Sequence, residues 1–368
     1  MTMEKSEERT ELLRRRTARV LQHMKHKGLT QLLVADPLSI HYLTGVAIDP
    51  GERLFVLLLR AEGEHTLLIN RLFSAPEDAP STVWFSDTDD AIALLASVCD
   101  ADKPLGIDKV WPARFLLPLQ QRCPHMQTVL ASDCVDDCRA VKDEAELALM
   151  REASVINDRV MERAADFIRV GMTEREIAAF IDSAFEEAGC SGPSFPTIVS
   201  FGAHAADPHH APDDTVLRDG ECVLLDIGCV WKDYCSDMTR TFFCGEADAA
   251  FSHIHELVRA ANERAEAAVR PGVPLRDIDA AARDLIAAAG YGDNFFHRLG
   301  HFIGREDHEQ GDVSAASELT AQPGMVFSIE PGIYLPGVGG VRIEDLLIVT
   351  EEGCEVLNRV DKTLRTVG

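Results

Sequence analysis

Four carboxylates and one imidazole stand out for their positions. Asp226 closes the apolar run Val223-Leu224-Leu225-Asp226-Ile227-Gly228, and Asp237 opens Ser236-Asp237-Met238-Thr239-Arg240-Thr241 eleven residues later. Glu330 ends Val326-Phe327-Ser328-Ile329-Glu330, and Glu344 opens the next run in Val341-Arg342-Ile343-Glu344-Asp345, fourteen residues on. Each pair thus offers an acid at the end of one strand and another at the start of the next, with a connection short enough to lay the strands side by side. Four carboxylates gathered in a core repel one another and raise each other's pKa unless a cation compensates them. His301, in Arg298-Leu299-Gly300-His301-Phe302-Ile303-Gly304, is the natural fifth member, because its glycine neighbours let backbone pack closely. One imidazole among carboxylates suits a borderline divalent metal better than an all-oxygen calcium site. If two of the acids bridge, the set can hold two ions about 3.5–4 Å apart, the arrangement of two-metal hydrolases. Arg342 lies two residues before Glu344, on the same face of an extended segment. There it can hold a carboxylate, either the protein's own or a substrate's C-terminus.

These residues need elements to position them. The first ~135 residues read as a small α/β unit. It has a helix from Ser6 to Lys27 stopped by Gly28, and helices over Asp90–Val98 and Arg114–Arg122. Short strands are expected at Gln31–Ala35, Leu54–Leu59, Thr66–Ile69, Thr82–Phe85, Leu105–Ile107 and Thr128–Leu130. Such alternation favours a mixed sheet flanked by helices. A polar, acidic connector follows over Asp133–Lys142. Helices over Glu144–Ile168 and from the capping box Thr173/Glu176 to Gly189 then precede strands Thr197–Phe201, Cys222–Ile227 and Met238–Phe243. A second round has helices Asp248–Val269 and Leu275–Ala289, then strands Met325–Ile329 and Ile343–Val349. The order helices–strands–helices–strands implies an α+β region of two similar halves that share no obvious sequence repeat.

Composition narrows the setting. The chain has 368 residues, with 61 acidic against 36 basic ones and a formal charge of −25. A surface that negative repels phosphate backbones and anionic lipid, so no nucleic-acid or membrane partner is expected. No apolar run reaches the ~18 residues that cross a bilayer, and the charged N-terminus has no apolar core of a secretory signal. The ten cysteines lack any CxxC pair, and Cys134 and Cys138 have no second Cys/His pair to complete a zinc site. Buried, reduced thiols and a cytoplasmic protein are the expectation.

Five strings carry a resemblance. Leu225-Asp226-Ile227-Gly228, Ser236-Asp237-Met238-Thr239-Arg240, His297-Arg298-Leu299-Gly300-His301, Glu330-Pro331-Gly332-Ile333-Tyr334 and Arg342-Ile343-Glu344-Asp345 occur in this order. They resemble the motifs of the M24 metallopeptidases of pita-bread fold. Within that family the chain is similar to the Xaa-Pro dipeptidases (prolidases) and the aminopeptidase P group. The resemblance implies a creatinase/prolidase-like N-terminal domain over 1–135, a linker over 136–143 and a pita-bread catalytic domain over 144–368. It places metal ligands on Asp226, Asp237, His301, Glu330 and Glu344, where creatinases lack the intact set. Methionine aminopeptidases share the ligands but usually lack such an N-terminal domain. They also lack the string Asp207-Pro208-His209-His210-Ala211-Pro212.

What the resemblance implies chemically is a hydrolase with two divalent ions per subunit, manganese or cobalt in preference to zinc. Asp237 and Glu344 would bridge them, Asp226 would chelate the first, and His301 with Glu330 would hold the second. Glu330 would also carry the proton. His209 and His308 match positions that stabilise the oxyanion, with His210 as an alternative to His209, and His297 matches a substrate-side position. Phe302 or Ile303 are candidates for a proline pocket. The loop Asp49-Pro50-Gly51-Glu52-Arg53 resembles one in short bacterial prolidases that approaches a partner subunit's site, where Gly51 replaces a histidine and Arg305 would face it. A homodimer is expected. The implied substrate is a small peptide with proline second. A dipeptidase is favoured, an aminopeptidase on longer Xaa-Pro peptides is the alternative, and a catalytically silent binding module is a remote third.

Overall fold

The computed structural model describes residues 3–77 and 79–368 and divides into two compact units, 1–138 and 139–368. The first unit runs α1 (Met3–His26), β1 (Gln31–Val34), α2 (Pro37–Thr44), β2 (Val56–Arg60), β3 (Thr66–Asn70), β4 (Ser81–Phe85), α3 (Ala91–Val98), β5 (Leu105–Ile107), α4 (Ala113–Arg122), β6 (Thr128–Leu130) and α5 (Asp133–Ala140). Its mixed sheet has the order β4-β3-β2-β1-β5-β6. The central strands are unbroken apolar runs because both faces are covered. Leu57, Leu59, Leu67 and Ile69 join one core with Val20 and Met24 of α1, while Val56, Leu58 and Leu68 join another with Leu95 and Leu119.

One helix is additional to those expected, and one expected connector is helical. Asp36-Pro37 opens the helix α2, where the Asp36 side chain accepts from the Leu38 and Ser39 amides and Pro37 fills a first-turn position that needs no donor. The acidic stretch expected as a connector is helical at α5. Cys134, Val135 and Cys138 form an apolar stripe packed in the α1 core, and Asp133 and Asp136 lie in the first turn, where acid complements the helix dipole.

The second unit contains α6 (Glu144–Phe167), α7 (Glu174–Glu187), β7 (Ile198–Phe201), β8 (Cys222–Ile227), β9 (Val230–Trp231), β10 (Tyr234–Cys235) and β11 (Met238–Cys244). Then come α8 (Ala249–Ala268), α9 (Leu275–Ala288), β12 (Gly300–Phe302), β13 (Glu309–Val313), β14 (Val326–Ile329), β15 (Gly332–Leu335), β16 (Gly339–Arg342), β17 (Asp345–Val349), β18 (Cys354–Val356) and β19 (Thr366–Val367). Capping boxes at Asp143/Glu146 and Thr173/Glu176 start α6 and α7. Its larger sheets are β19-β11-β8-β7 and β13-β12-β14-β17-β18, beside the two-stranded β10-β9 and β15-β16. The first packs on α6 and α7, the second on α8 and α9.

In each half the register brings the two acids together. β8 and β11 are antiparallel with Asp226 opposite Thr239, two residues past Asp237. β14 and β17 pair Ile329 with Asp345, so the neighbours Glu330 and Glu344 flank the same sheet end. Between them the chain makes an additional hairpin, β15–β16. The β9–β10 hairpin turns at Lys232 and Asp233, both with positive φ, the conformation of a two-residue primed turn. All ten cysteines are free thiols. Among the described residues no helix is long and apolar enough to cross a membrane.

Candidate active site

A buried tether places each first acid. Asn157 of α6 donates to the carbonyl of Ile227, beside Asp226, at 2.9 Å. Asn262 of α8 donates to the carbonyls of Ile329 (3.0 Å) and Ile343 (3.3 Å), beside Glu330 and Glu344. The halves are then sewn together. Thr239 Oγ1 donates to Glu344 Oε2 at 2.7 Å, the Glu344 amide donates to the Thr239 carbonyl, and buried Arg240 reaches the Glu344 carbonyl and the Asp345 carboxylate, both at 2.7 Å. Gly300 is required beside His301, because a Cβ there would collide with the Ser328 carbonyl.

The five residues singled out by type and spacing converge. His301 Nε2 lies 3.3 Å from Asp237 Oδ2, 3.7 Å from Glu330 Oε1 and 3.9 Å from Glu344 Oε1. The His301 Nδ1 faces the Phe302 carbonyl at 3.2 Å. That contact assigns the proton to Nδ1 and leaves the Nε2 lone pair aimed at the acids. Asp226 joins through Arg342, whose Nη2 donates to Asp226 Oδ2 at 2.6 Å.

The buried carboxylate oxygens Asp226 Oδ1, Asp237 Oδ1 and Glu344 Oε1 have no hydrogen-bond partner among the described residues. Unpaired buried anions facing an imidazole lone pair are costly without a cation. The pKa directions agree. Burial, reinforced by neighbouring acids, pushes Asp237 and Glu344 well above the usual carboxylate range. Burial pushes Glu330 to about 8 against the partial relief of Arg342. The same burial holds His301 well below its ordinary value. The donor set therefore fits divalent metal ions.

These groups line a cavity of about 780 Å³ together with Phe195, Pro196, Ile198, Phe296, His209 and His308, a size that suits a small ligand. His209 is exposed on its wall, whereas His210 is tied up, its Nε2 2.7 Å from Glu174 Oε2. The His308 ring lies 4.0 Å from the His301 ring. Arg298 Nη2 approaches His308 Nδ1 at 3.3 Å, which leaves Nε2 as the donor end.

Other expected residues take different places. Arg342 is buried and spends its donors on Asp226, on Tyr334 Oη (2.9 Å) and on Thr239 Oγ1 (3.1 Å), so it holds the protein's own carboxylate. His297 lines the cavity, but its Nδ1 meets the Arg298 carbonyl at 2.7 Å and its Nε2 meets Tyr334 Oη at 2.9 Å. It orients the Arg342–Tyr334 pair rather than presenting a free nitrogen. Arg305 lies outside the cavity lining, over the Tyr234 ring at 5.3 Å. In the loop expected to approach a partner site, Arg53 bonds Asp87 at 2.9 and 3.1 Å and Asp49 caps the Gly51 amide, an internally satisfied turn. Phe302 and Ile303 are fully buried and absent from the cavity wall. Adjacent strand residues face opposite sides, so with His301 turned to the cavity Phe302 turns to the core against Phe327.

Tyr334, Asn157, Asn262 and Asp307 also serve the site, although no spacing in the sequence singles them out. Asp307 lines the cavity with one oxygen unpartnered, and burial pushes its carboxyl to about 7. Tyr334 stood in a quoted string, but nothing in its spacing marks a bridge between Arg342 and His297.

Buried acids around an imidazole at a cavity floor, on an α+β unit of two halves, define a candidate metal-dependent hydrolase. Residues 148–351 match metallopeptidase family M24 and residues 16–141 match the creatinase/prolidase N-terminal domain. The chain belongs to metallopeptidase family M24. It is 38% identical to an uncharacterized peptidase of Staphylococcus haemolyticus over 94% of this chain and 99% of that one. Among solved structures it resembles the dipeptidase PepE from Mycobacterium ulcerans, with 36% identity, TM-score 0.92, and coverage of 97% of this chain and 98% of that one. It also resembles a prolidase from Thermococcus sibiricus, with 33% identity, TM-score 0.90, and coverage of 96% and 99%.

Proposed function

We propose that the protein hydrolyses the Xaa-Pro bond of dipeptides with two divalent metal ions. The observation that carries this reading is the set of unpaired oxygens on Asp226, Asp237 and Glu344 around the His301 lone pair, at the floor of a cavity of peptide size. The names of the similar solved structures, a dipeptidase and a prolidase, support the substrate class. Asp226 would hold the first ion, His301 and Glu330 the second, with Asp237 and Glu344 shared. Their carboxylate-rich character leans toward manganese or cobalt over zinc. Such ions acidify water and polarise a carbonyl oxygen.

The chain's own groups do the rest. Glu330, whose buried carboxyl holds a proton up to about pH 8 in the absence of a cation, accepts the proton of the attacking water and passes it to the departing imide nitrogen. His209 and His308 donate to the developing oxyanion, each a contribution of about 3 kcal/mol by analogy with other oxyanion donors. The proline nitrogen has no N–H to satisfy, so apolar walls suit it, and Phe195, Pro196, Ile198 and Phe296 supply them in place of Phe302 and Ile303. A cytoplasmic homodimer accompanies the reading, and the ten free thiols accord with a reducing compartment.

The test is hydrolysis by the manganese-, cobalt- or zinc-loaded protein of Xaa-Pro dipeptides and of Xaa-Pro-Xaa tripeptides. Dipeptide cleavage is expected. Cleavage of tripeptides alone replaces the dipeptidase with an aminopeptidase, and no cleavage with any of the three metals removes the enzymatic reading.

A further inference from the structure

The segment that carries His209 is anchored by a second cluster, none of whose members belongs to the five-residue centre. Glu174, the first residue of α7, is wholly buried. Its Oε1 accepts the Phe201 amide at 2.9 Å and His204 Nδ1 at 3.0 Å. Its Oε2 accepts His210 Nε2 at 2.7 Å and the Asp213 amide at 3.1 Å. The His204 and His210 rings lie against each other with centroids 4.1 Å apart and planes tilted by 36°, and a nitrogen of each meets the same carboxylate. Asp213 completes the group. One of its oxygens accepts the Thr215 amide at 2.7 Å, and the Thr215 side chain together with that amide holds the carboxyl below its usual range and hence ionised.

One ligand atom from each of Glu174, His204, His210 and Asp213 lies within 4.8 Å of the others. Two imidazoles and two carboxylates form a donor set for zinc-class ions. The buried Glu174 gives that set a fixed pivot, and the half-exposed His204 leaves a way in from solvent.

We propose that Glu174, His204, His210 and Asp213 form a separate binding site for one divalent ion of the zinc class, and that its occupancy clamps the 204–213 segment that presents His209. Uptake needs no net proton loss from the rings. The His204 proton moves from Nδ1 to Nε2 and the His210 proton from Nε2 to Nδ1. Two N–H···O bonds to Glu174 are thereby exchanged for two nitrogen–metal bonds, and Glu174 and Asp213 supply the charge that neutralises the ion. Because the segment forms part of the cavity wall through Asp207, His209 and His210, the ion would fix the approach of His209 without touching the hydrolytic centre.

The experiment titrates zinc chloride into the chelator-stripped full chain and counts the ions retained after gel filtration. Wild type is compared with a His204→Ala/His210→Ala double variant and with His301→Ala. The double variant, which keeps all ten cysteines, should retain one ion fewer than wild type. His301→Ala should keep that ion while losing those of the five-residue centre, so failure of the hydrolytic reading and failure of this one give different counts. Equal counts in wild type and the double variant overturn the proposal. If the double variant does not fold, His204→Ala alone must weaken one zinc equivalent by more than about tenfold, a loss that even outer partners of a metal site cause. Unchanged affinity overturns the proposal. Zinc should also slow amide hydrogen exchange across residues 204–213 in His301→Ala, and exchange indifferent to zinc there removes the clamp.

Discussion

The two halves of the catalytic unit solve one problem with matching tethers and unequal charges. In the first, Asn157 of α6 holds the backbone beside Asp226; in the second, Asn262 of α8 holds the backbone beside Glu330 and Glu344. The surrounding sequences, Asn157-Asp158-Arg159 and Asn262-Glu263-Arg264, preserve a trace of repetition that the strands do not. Compensation is lopsided. Asp226 has a directly hydrogen-bonded cation in Arg342, contributed by the other half, whereas Glu330 and Glu344 accept hydrogen bonds from the hydroxyls of Ser328 and Thr239 and feel Arg342 only at longer range. The lesson is that neither half contains a finished centre. Geometry is built locally and twice, while charge balance exists only across the seam.

The largest expected effect tests the side without a directly bonded cation. His301→Ala should lose bound metal together with about 10³-fold or more in kcat/KM, since several kcal/mol of charge stabilisation leave with the ions. Retained turnover alongside retained metal would remove His301 from the centre. Next comes the brace between halves. Arg342→Met leaves Asp226 buried and uncompensated and should cost about 3–5 kcal/mol in the urea unfolding of the metal-stripped protein. A change within experimental error would mean that Asp226 does not depend on the far half.

The pH dependence of the stripped protein follows. Glu330 is raised from the ordinary 4.5 to about 8, with Asp237 and Glu344 shifted in the same direction. Folded chains then hold protons that unfolded chains release, so stability should fall as pH climbs from about 4.5 to about 8. Urea midpoints at pH 5 and pH 8 measure this, and divalent metal should abolish the trend. A stripped protein that gains stability over that interval contradicts the uncompensated acids. The smallest effect compares the tethers. Asn262→Ala, which frees two carbonyls and a partner of Lys362 at 2.7 Å, should destabilise by about 2–3 kcal/mol, and Asn157→Ala, which frees one, by about 1–2. Reversed ranking would show that the first half carries more of the seam.

Much of this was legible in sequence for a definite reason. Asp226, Glu330 and their partners end or begin apolar strand runs, and strand ends are where a sheet can deliver side chains to one place. Periodicity also located α6 to α9. What was hidden depends on contacts distant in sequence. Tyr334 acquires a role only because Arg342 and His297 flank it, and Glu174 reads as an ordinary first-turn acid until three later segments close on it. Phe302, an apolar candidate for the proline pocket, faces the core because strand alternation turns it away from the side that His301 faces. The β9–β10 hairpin escaped because its primed turn uses Lys232 and Asp233 instead of glycine.

The acidic stretch that reads as a spacer has a practical consequence. Arg139 and Lys142 hold Glu309, the residue after His308, at 2.7 and 3.0 Å, and Val141 bridges to Met325. Anyone cutting the gene to express a minimal catalytic fragment at the apparent start of α6 would discard these clasps and loosen the histidine beside them. The cut belongs before Arg139.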